Sequence, residues 1–470
     1  MRKALISVLT VAHIFLLLNC NTDSNDDNKV VLDTPMKKAL QQAIMDAEQL
    51  LQHAITGVSE GQFSAESKDK FSASIQSART FFNDNMSGTT DLEIEHKVHT
   101  LYDSCMAFEA RVISSFDNLI DRKATHETRY LYENLKKYAG EKLLFGMHDA
   151  TGYGVGWSGD DDRSDVKDVC GSYPAVFSWD ANGIVNVGDW SRLKNRMLLA
   201  YTRGGINTIC WHQFDPEGKG FYYDRVNYPV VPTILPGGKY HESYQHSLRQ
   251  IARFMKSLRG PRGESVPVIF RPYHEQNGNW FWWGRSRCTE QEYIDLWRFT
   301  VHFLRDTLGL HNFIYAFSPD GNQYNQKSEY LNQYPGDEYI DVLGLDFYFG
   351  SGDTEEILKF QRRAIDAVQY ARDKNKLAAI TEVGDRYGWD DTDMLEIEQW
   401  FTRCLLGAIK NSPTAKNMVY AAVWRNAHAR HHFAPYPGHP SVADFLVFYY
   451  DPMTVFLDDL ADVYTLESGL

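Results

Sequence analysis

The stretch Val266-Pro-Val-Ile-Phe-Arg-Pro-Tyr-His-Glu275, continuing Gln276-Asn-Gly-Asn-Trp-Phe-Trp-Trp-Gly284, decides how this chain folds. Its first half is a short apolar run of strand type, and its second is polar, aromatic and glycine-bearing. A buried strand that opens into a loop reads this way. Lys376-Leu-Ala-Ala-Ile-Thr-Glu382, continuing Val-Gly-Asp385, repeats the pattern. Six further strand-like runs are Leu143–Met147, Ala175–Trp179, Ile206–Trp211, Phe313–Phe317, Val342–Phe347 and Val419–Trp424. Helical stretches lie between several of them, at Ser243–Ser257, Glu290–Thr307, Thr354–Ala371 and Glu396–Lys410. Alternating strands and helices from 124 to 470 predict an α/β chain folded as a (β/α)8 TIM barrel. Chemistry in that fold gathers where strands end. Polar and aromatic residues do follow these runs: His148-Asp149, His212, His274-Glu275, Asp320, Asp346 with Tyr348, Glu382, and Trp424-Arg425.

Upstream of the barrel the pattern differs. Arg2 and Lys3 precede an apolar run, Ala4 to Leu18, that is short for a membrane span and ends Leu17-Leu18-Asn19-Cys20. Residues 1–20 resemble a bacterial lipoprotein signal, which implies lipid on Cys20 and a place at the outer membrane, exposed on the cell surface. Residues 21–33 are polar and acidic and read as a flexible linker. Residues 34–118 read as a small all-α bundle of three helices. Thr34-Pro35 is a helix start, and Thr90-Asp-Leu-Glu93 a capping box. Apolar stripes recur at Leu40, Ile44, Ala47 and Leu51, at Phe71, Ile75, Ala78 and Phe82, and at Val98, Leu101, Cys105, Phe108 and Val112. With no aromatic cluster, the bundle reads as a spacer rather than as a carbohydrate-binding module.

The chain has 470 residues, 43% of them hydrophobic, and a net charge of −14. That charge argues against nucleic acid or an anionic membrane as partner, leaving the lipid as the only membrane attachment. It suits a neutral polysaccharide, as do 11 tryptophans able to stack on sugar faces. Cys105, Cys170, Cys210, Cys288 and Cys404 are scattered without CxxC spacing and read as unpaired. His428, His431 and His432 follow the eighth strand with no partnering Cys or HExxH pattern. They read as a substrate-lining loop, and no metal or other cofactor is expected.

Glu275 and Glu382 carry the chemistry in this reading. On strands 4 and 7 they face each other across a barrel mouth. Two carboxyl groups flanking a glycosidic bond suffice to hydrolyse it, about 5–5.5 Å apart when the anomeric configuration is retained. His274-Glu275 with Asn277-Gly278 and Trp280-Phe-Trp-Trp-Gly284, Asp346-Phe-Tyr348, Thr381-Glu-Val-Gly384 and Trp424-Arg425 resemble glycoside hydrolase family 26. So do Phe145-Gly146, Tyr153-Gly154-Val-Gly-Trp157 and Trp211-His212. The resemblance covers about 124 to 460. It implies a (β/α)8 barrel, retaining chemistry and, in most members, β-mannanase activity on β-mannan or galactomannan. It makes Glu275 the acid/base and Glu382 the nucleophile, with His274 orienting the first and Tyr348 hydrogen-bonding the second. His212, Trp280, Trp283, Asp346, Trp424 and Arg425 would contact sugar. One departure is Met147, which separates His148 from Gly146 where family members often place the histidine directly after the glycine. The expected activity is a retaining endo-β-1,4-mannanase, working as a monomer. Alternatives are the same machinery on β-1,3-xylan or mixed-linkage β-glucan, and a non-catalytic glycan-binding lipoprotein, against which the presence of both carboxylates counts.

Overall fold

The computed structural model describes residues 34–84, 88–114, 118–186, 190–385 and 395–465. The expected signal, Cys20 and the acidic linker lie outside them. Three helices come first: α1 (Pro35–His53), α2 (Ala65–Asp84) and α3 (Asp91–Glu109). The Thr34 hydroxyl accepts from the Lys37 N–H, and the Thr90/Glu93 capping box forms. Their apolar stripes meet in one cluster that includes Leu40, Ile44, Phe71, Ile75, Leu101, Cys105 and Phe108.

Helix α4 (His126–Tyr138) leads into eight strands: β1 (Leu143–His148), β2 (Val176–Asp180), β3 (Ile206–Trp211), β4 (Val268–Pro272), β5 (Phe313–Phe317), β6 (Val342–Phe349), β7 (Leu377–Asp385) and β8 (Met418–Val423). Each pairs in parallel with the next. Pairing of β8 with β1, from Leu144↔Tyr420 to Met147↔Val423, closes the barrel. Strands covered on both faces are mostly apolar, which is why these segments read as near-continuous runs rather than alternations.

Several boundaries differ from those expected. Strand β4 stops at Pro272, so Glu275 lies three residues past it, and β7 runs on to Asp385, so Glu382 lies inside it. The last of the expected helices begins at Trp400 rather than Glu396, after Leu395 and Gln399 adopt positive φ of 59° and 55° that a right-handed helix cannot include. A ninth short strand, Thr454–Val455, pairs beside the start of β1 and was not foreseen. At two residues, it is too short to leave a periodic signal.

The three helices sit against the barrel through buried charge. Arg259, in the segment before β4, pairs with Glu109 of α3 at 2.7 Å, the two side chains 1% and 3% exposed. Glu109 also accepts from the Ser265 N–H and hydroxyl, each at 2.6 Å. Met106 of α3 belongs to the barrel's own core. No helix among the described residues is long and apolar enough to cross a membrane.

Candidate active site

After Pro272 the chain bends sharply. Tyr273 and Glu275 both take positive φ, 48° and 53°, a strained conformation for residues with a Cβ. The turn is held by packing and hydrogen bonds. The Glu275 N–H donates to the Ser318 carbonyl at 2.8 Å, and Trp283 Nε1 donates to the His274 carbonyl at 2.8 Å. Gly278 is required because a Cβ there would fall 2.4 Å from the Trp280 ring. That close approach brings Trp280 Nε1 to 2.7 Å from Glu275 Oε2, to which it donates.

Glu382 is aimed by a different device. A β-bulge between β6 and β7 shifts the register so that Asp346 pairs with Glu382, one residue on from the Leu345↔Ile380 pair. The consecutive side chains Thr381 and Glu382 then both reach polar groups of neighbouring strands. Thr381 Oγ1 donates to Asp346 Oδ1 at 2.6 Å. Glu382 accepts from Arg271 Nη2 on Oε2 at 2.6 Å and from the Tyr348 hydroxyl on Oε1. The other Arg271 nitrogen donates to Asp346 Oδ2 at 2.6 Å.

Glu275 and Glu382 line one cleft of about 650 Å³ together with His148, Asp149, His212, Tyr222, His274, Trp280, Asp320, Tyr348, Trp424 and Arg425. Burial pushes the Glu275 carboxyl well above the usual range, and the charges of Glu382, Asp320 and Asp346 add to this, against Arg271. Burial and the Glu382 charge push the Tyr348 phenol up, so it remains a donor. His274 is driven well down, first by burial and then by Arg271, and is neutral.

Around the two carboxyls the walls are tied by hydrogen bonds and ring stacking. His212 Nδ1 lies 2.8 Å from Asp180 Oδ2, which fixes the ring. Trp424 stacks on His148 with centroids 3.9 Å apart. Arg425 Nη1 donates to the Tyr153 hydroxyl at 3.0 Å, which donates in turn to Asp149 at 2.7 Å. Among the described residues, Asp180, Cys210 and His212 bring three possible metal ligands within 4.8 Å of one another. Asp180 and His212 are the hydrogen-bonded pair, and the Cys210 Sγ lies 3.8 Å from His212 Nδ1.

Two expected sugar contacts are corrected. Asp346 is fully buried behind Arg271, where it accepts from Arg271 and Thr381 and does not line the cleft. Trp283 is also fully buried, stacked on Phe281 at 4.5 Å as part of the core that backs the Glu275 turn. His212, His274, Trp280, Tyr348, Trp424 and Arg425 do line the cleft. The donor to the Glu275 carboxylate is Trp280, a residue expected to contact sugar. Sequence reasoning missed Arg271, Asp180 and Tyr222. Arg271 left a signal, as the one cation inside its apolar run Val266–Pro272, where an unpaired cation is not tolerated.

A family model for glycosyl hydrolase family 26 matches residues 120–428. The chain belongs to that family. A mannan endo-1,4-β-mannosidase of Bifidobacterium adolescentis is 32% identical over 332 residues, 66% of this chain and 32% of that protein. The chain thus spans about a third of that relative's length, and 60% of the Bacillus subtilis mannan endo-1,4-β-mannosidase. Among solved structures, GH26C from a Muricauda species superposes with a TM-score of 0.70 at 33% identity, covering 75% of this chain and 97% of that one. A GH26 β-mannanase from Bacteroides ovatus gives 0.67 at 36%, covering 74% and 99%. The family-26 match spans the eight barrel strands and both glutamates, so the chain is a glycoside hydrolase by family.

Proposed function

We propose that this family-26 hydrolase cleaves β-1,4-mannan or galactomannan within the chain, with retention of configuration. One observation carries the reading. A carboxyl kept protonated by burial and a neighbouring negative charge shares a cleft with a second carboxylate gripped by an arginine and a tyrosine. Glu382 attacks the anomeric carbon while Glu275 gives its proton to the departing glycosidic oxygen, leaving a glycosyl ester on Glu382. Glu275, now ionised, takes a proton from water as the water displaces Glu382. The first sugar product therefore keeps the β-configuration. Trp280 and Trp424 serve as stacking surfaces, while His212 and Arg425 read hydroxyls. The axial 2-hydroxyl of mannose must find a polar partner, and a glucoside that leaves such a partner unpaired loses about 1–3 kcal/mol per contact. The relatives named as mannan endo-1,4-β-mannosidases support the substrate.

Reducing-sugar release from mannan, glucomannan, xylan and lichenan, with NMR of the first product, tests the reading. Mannan should be hydrolysed far faster than xylan or lichenan, with β-product first. An initial α-product overturns the mechanism, while comparable rates on lichenan or xylan overturn the substrate alone.

The protein works as a monomer at the cell surface, held in the outer membrane by lipid on Cys20, with the 21–33 linker and the three helices as a standoff. Cys20→Ala should release active soluble protein. Unchanged fractionation with membranes defeats the anchor.

A further inference from the structure

Asp320, just beyond β5, lines the cleft at 7% exposure and is tied to the loop that carries Glu275. Asn277 Nδ2 donates to the Asp320 carbonyl at 2.8 Å, and the Asp320 N–H donates to Asn277 Oδ1 at 2.9 Å. Asn277 is two residues from Glu275, whose own N–H is held by Ser318 on the same β5 loop. On its other side Asp320 pairs with Asp346 as a parallel bridge, and the Gly321 N–H donates to the Asp346 carbonyl at 2.8 Å. The Asp320 carboxylate is itself fixed, Oδ1 accepting from the Asn322 N–H at 2.7 Å.

We propose that Asp320 is a positioning residue for the acid/base: its main chain holds the Glu275 turn through Asn277, and its carboxyl group stands in the same cleft as that of Glu275. The proposal rests on the reading of Glu275 as acid/base. Arg271 is the cation facing Glu275 from its own strand, and it is already shared between Asp346 of β6 and Glu382 of β7. Trp280 donates to Glu275 from the same loop, neutral His274 adjoins it, and Tyr348 from β6, with Tyr222 and His212 from β3 and its loop, complete the surroundings. Asp320 thus adds a carboxylate to a group in which one guanidinium already serves two. After burial and Glu382, its charge is the next contribution that raises Glu275.

The sign follows. Glu275 must hold its proton to assist departure, so activity falls as pH rises through its folded-state value. Removing a negative neighbour lowers that value and brings the fall to lower pH. Asp320→Asn keeps the shape and the acceptor for Asn322 while removing the charge. On mannan oligosaccharides, the alkaline limb of kcat/KM should move down by about one pH unit, the order a nearby charge produces. Asp320→Glu should return the limb toward its original place. On a dinitrophenyl mannoside, whose leaving group needs no proton, glycosylation should show no such movement. An unmoved limb, or an equal loss at every pH and on both substrates, overturns the proposal. If the asparagine variant does not fold, Asp320→Ser carries the same test. Glu275→Gln separates the two levels: an alkaline limb that persists there defeats the acid/base reading itself, whatever Asp320 does.

Discussion

At Glu382 the two carboxylate oxygens have different donors, Arg271 on one and Tyr348 on the other, whereas Glu275 has the neutral Trp280 indole. The same residue type is thereby given two environments, one partner charged and one not. Alanine at either position should remove nearly all turnover of polymer while leaving the fold intact, and the two variants should differ in rescue. With an activated aryl mannoside, Glu275→Ala still forms the glycosyl-enzyme, and azide should restore turnover with retained configuration. Azide on Glu382→Ala should give the inverted glycosyl azide. NMR of the azide products distinguishes the two, and wild-type-like activity in either variant ends the assignment. The identities of these glutamates were legible in sequence, because each follows a strand-like run. The partners of Glu382 were only partly so: Tyr348 came with the family motif, while Arg271 is brought to it from another strand 111 positions away.

At the level of elements, the aromatic run Trp280–Gly284 divides its work in a way that periodicity does not show. Trp280 is half-exposed in the cleft, whereas Trp283 is wholly buried beneath it. Trp283→Ala should cost about 3–5 kcal/mol of stability, as large-to-small core substitutions of aromatics do. Trp280→Phe should leave stability nearly unchanged, because the ring stays, and lower kcat through loss of the bond to Glu275. Denaturant melts and steady-state kinetics on the pair check this, and a reversed pattern would exchange their roles. The β6–β7 bulge is the other decision made at this scale. Strict alternation along Leu377–Asp385 would send Thr381 and Glu382 to opposite faces. The bulge lets both act within one polar network, and the sequence carries no mark of it, since it depends on the pairing with β6.

Across the whole molecule, the helices and the barrel are joined by charges that neither part can leave alone. Glu109→Gln should destabilise the protein by about 3–5 kcal/mol, because it leaves the Arg259 guanidinium buried without a counter-charge. Calorimetry should show this loss, and a change within error would mean the junction is wet. Nearby, the Glu127 carboxyl at the start of α4 is pushed up to about 8 by burial and by the Glu109 and Glu264 charges, with Arg262 opposing. Its unfolded value is near 4.5. Between these two the unfolded chain gives up the proton that the folded chain keeps, so stability should fall as pH rises from about 4.5 to about 8. Glu127→Gln should flatten that slope in melts run across this range, and an unchanged slope assigns it to another group. The sequence by itself determined the eight strands, the three helices, two of them with their caps, and the positions of the two glutamates that line the cleft. Each rests on local chemistry, namely apolar runs bounded by turn residues, a hydroxyl or proline at a helix start, and a carboxylate just after a strand-like run. Only the tertiary structure decided that Arg271 grips Glu382, that Asp346 and Trp283 lie behind the cleft rather than in it, and that Glu109 buries its charge against Arg259. Those outcomes depend on which distant segments share a low-dielectric interior, where a charge must find its partner across the fold and not along the chain.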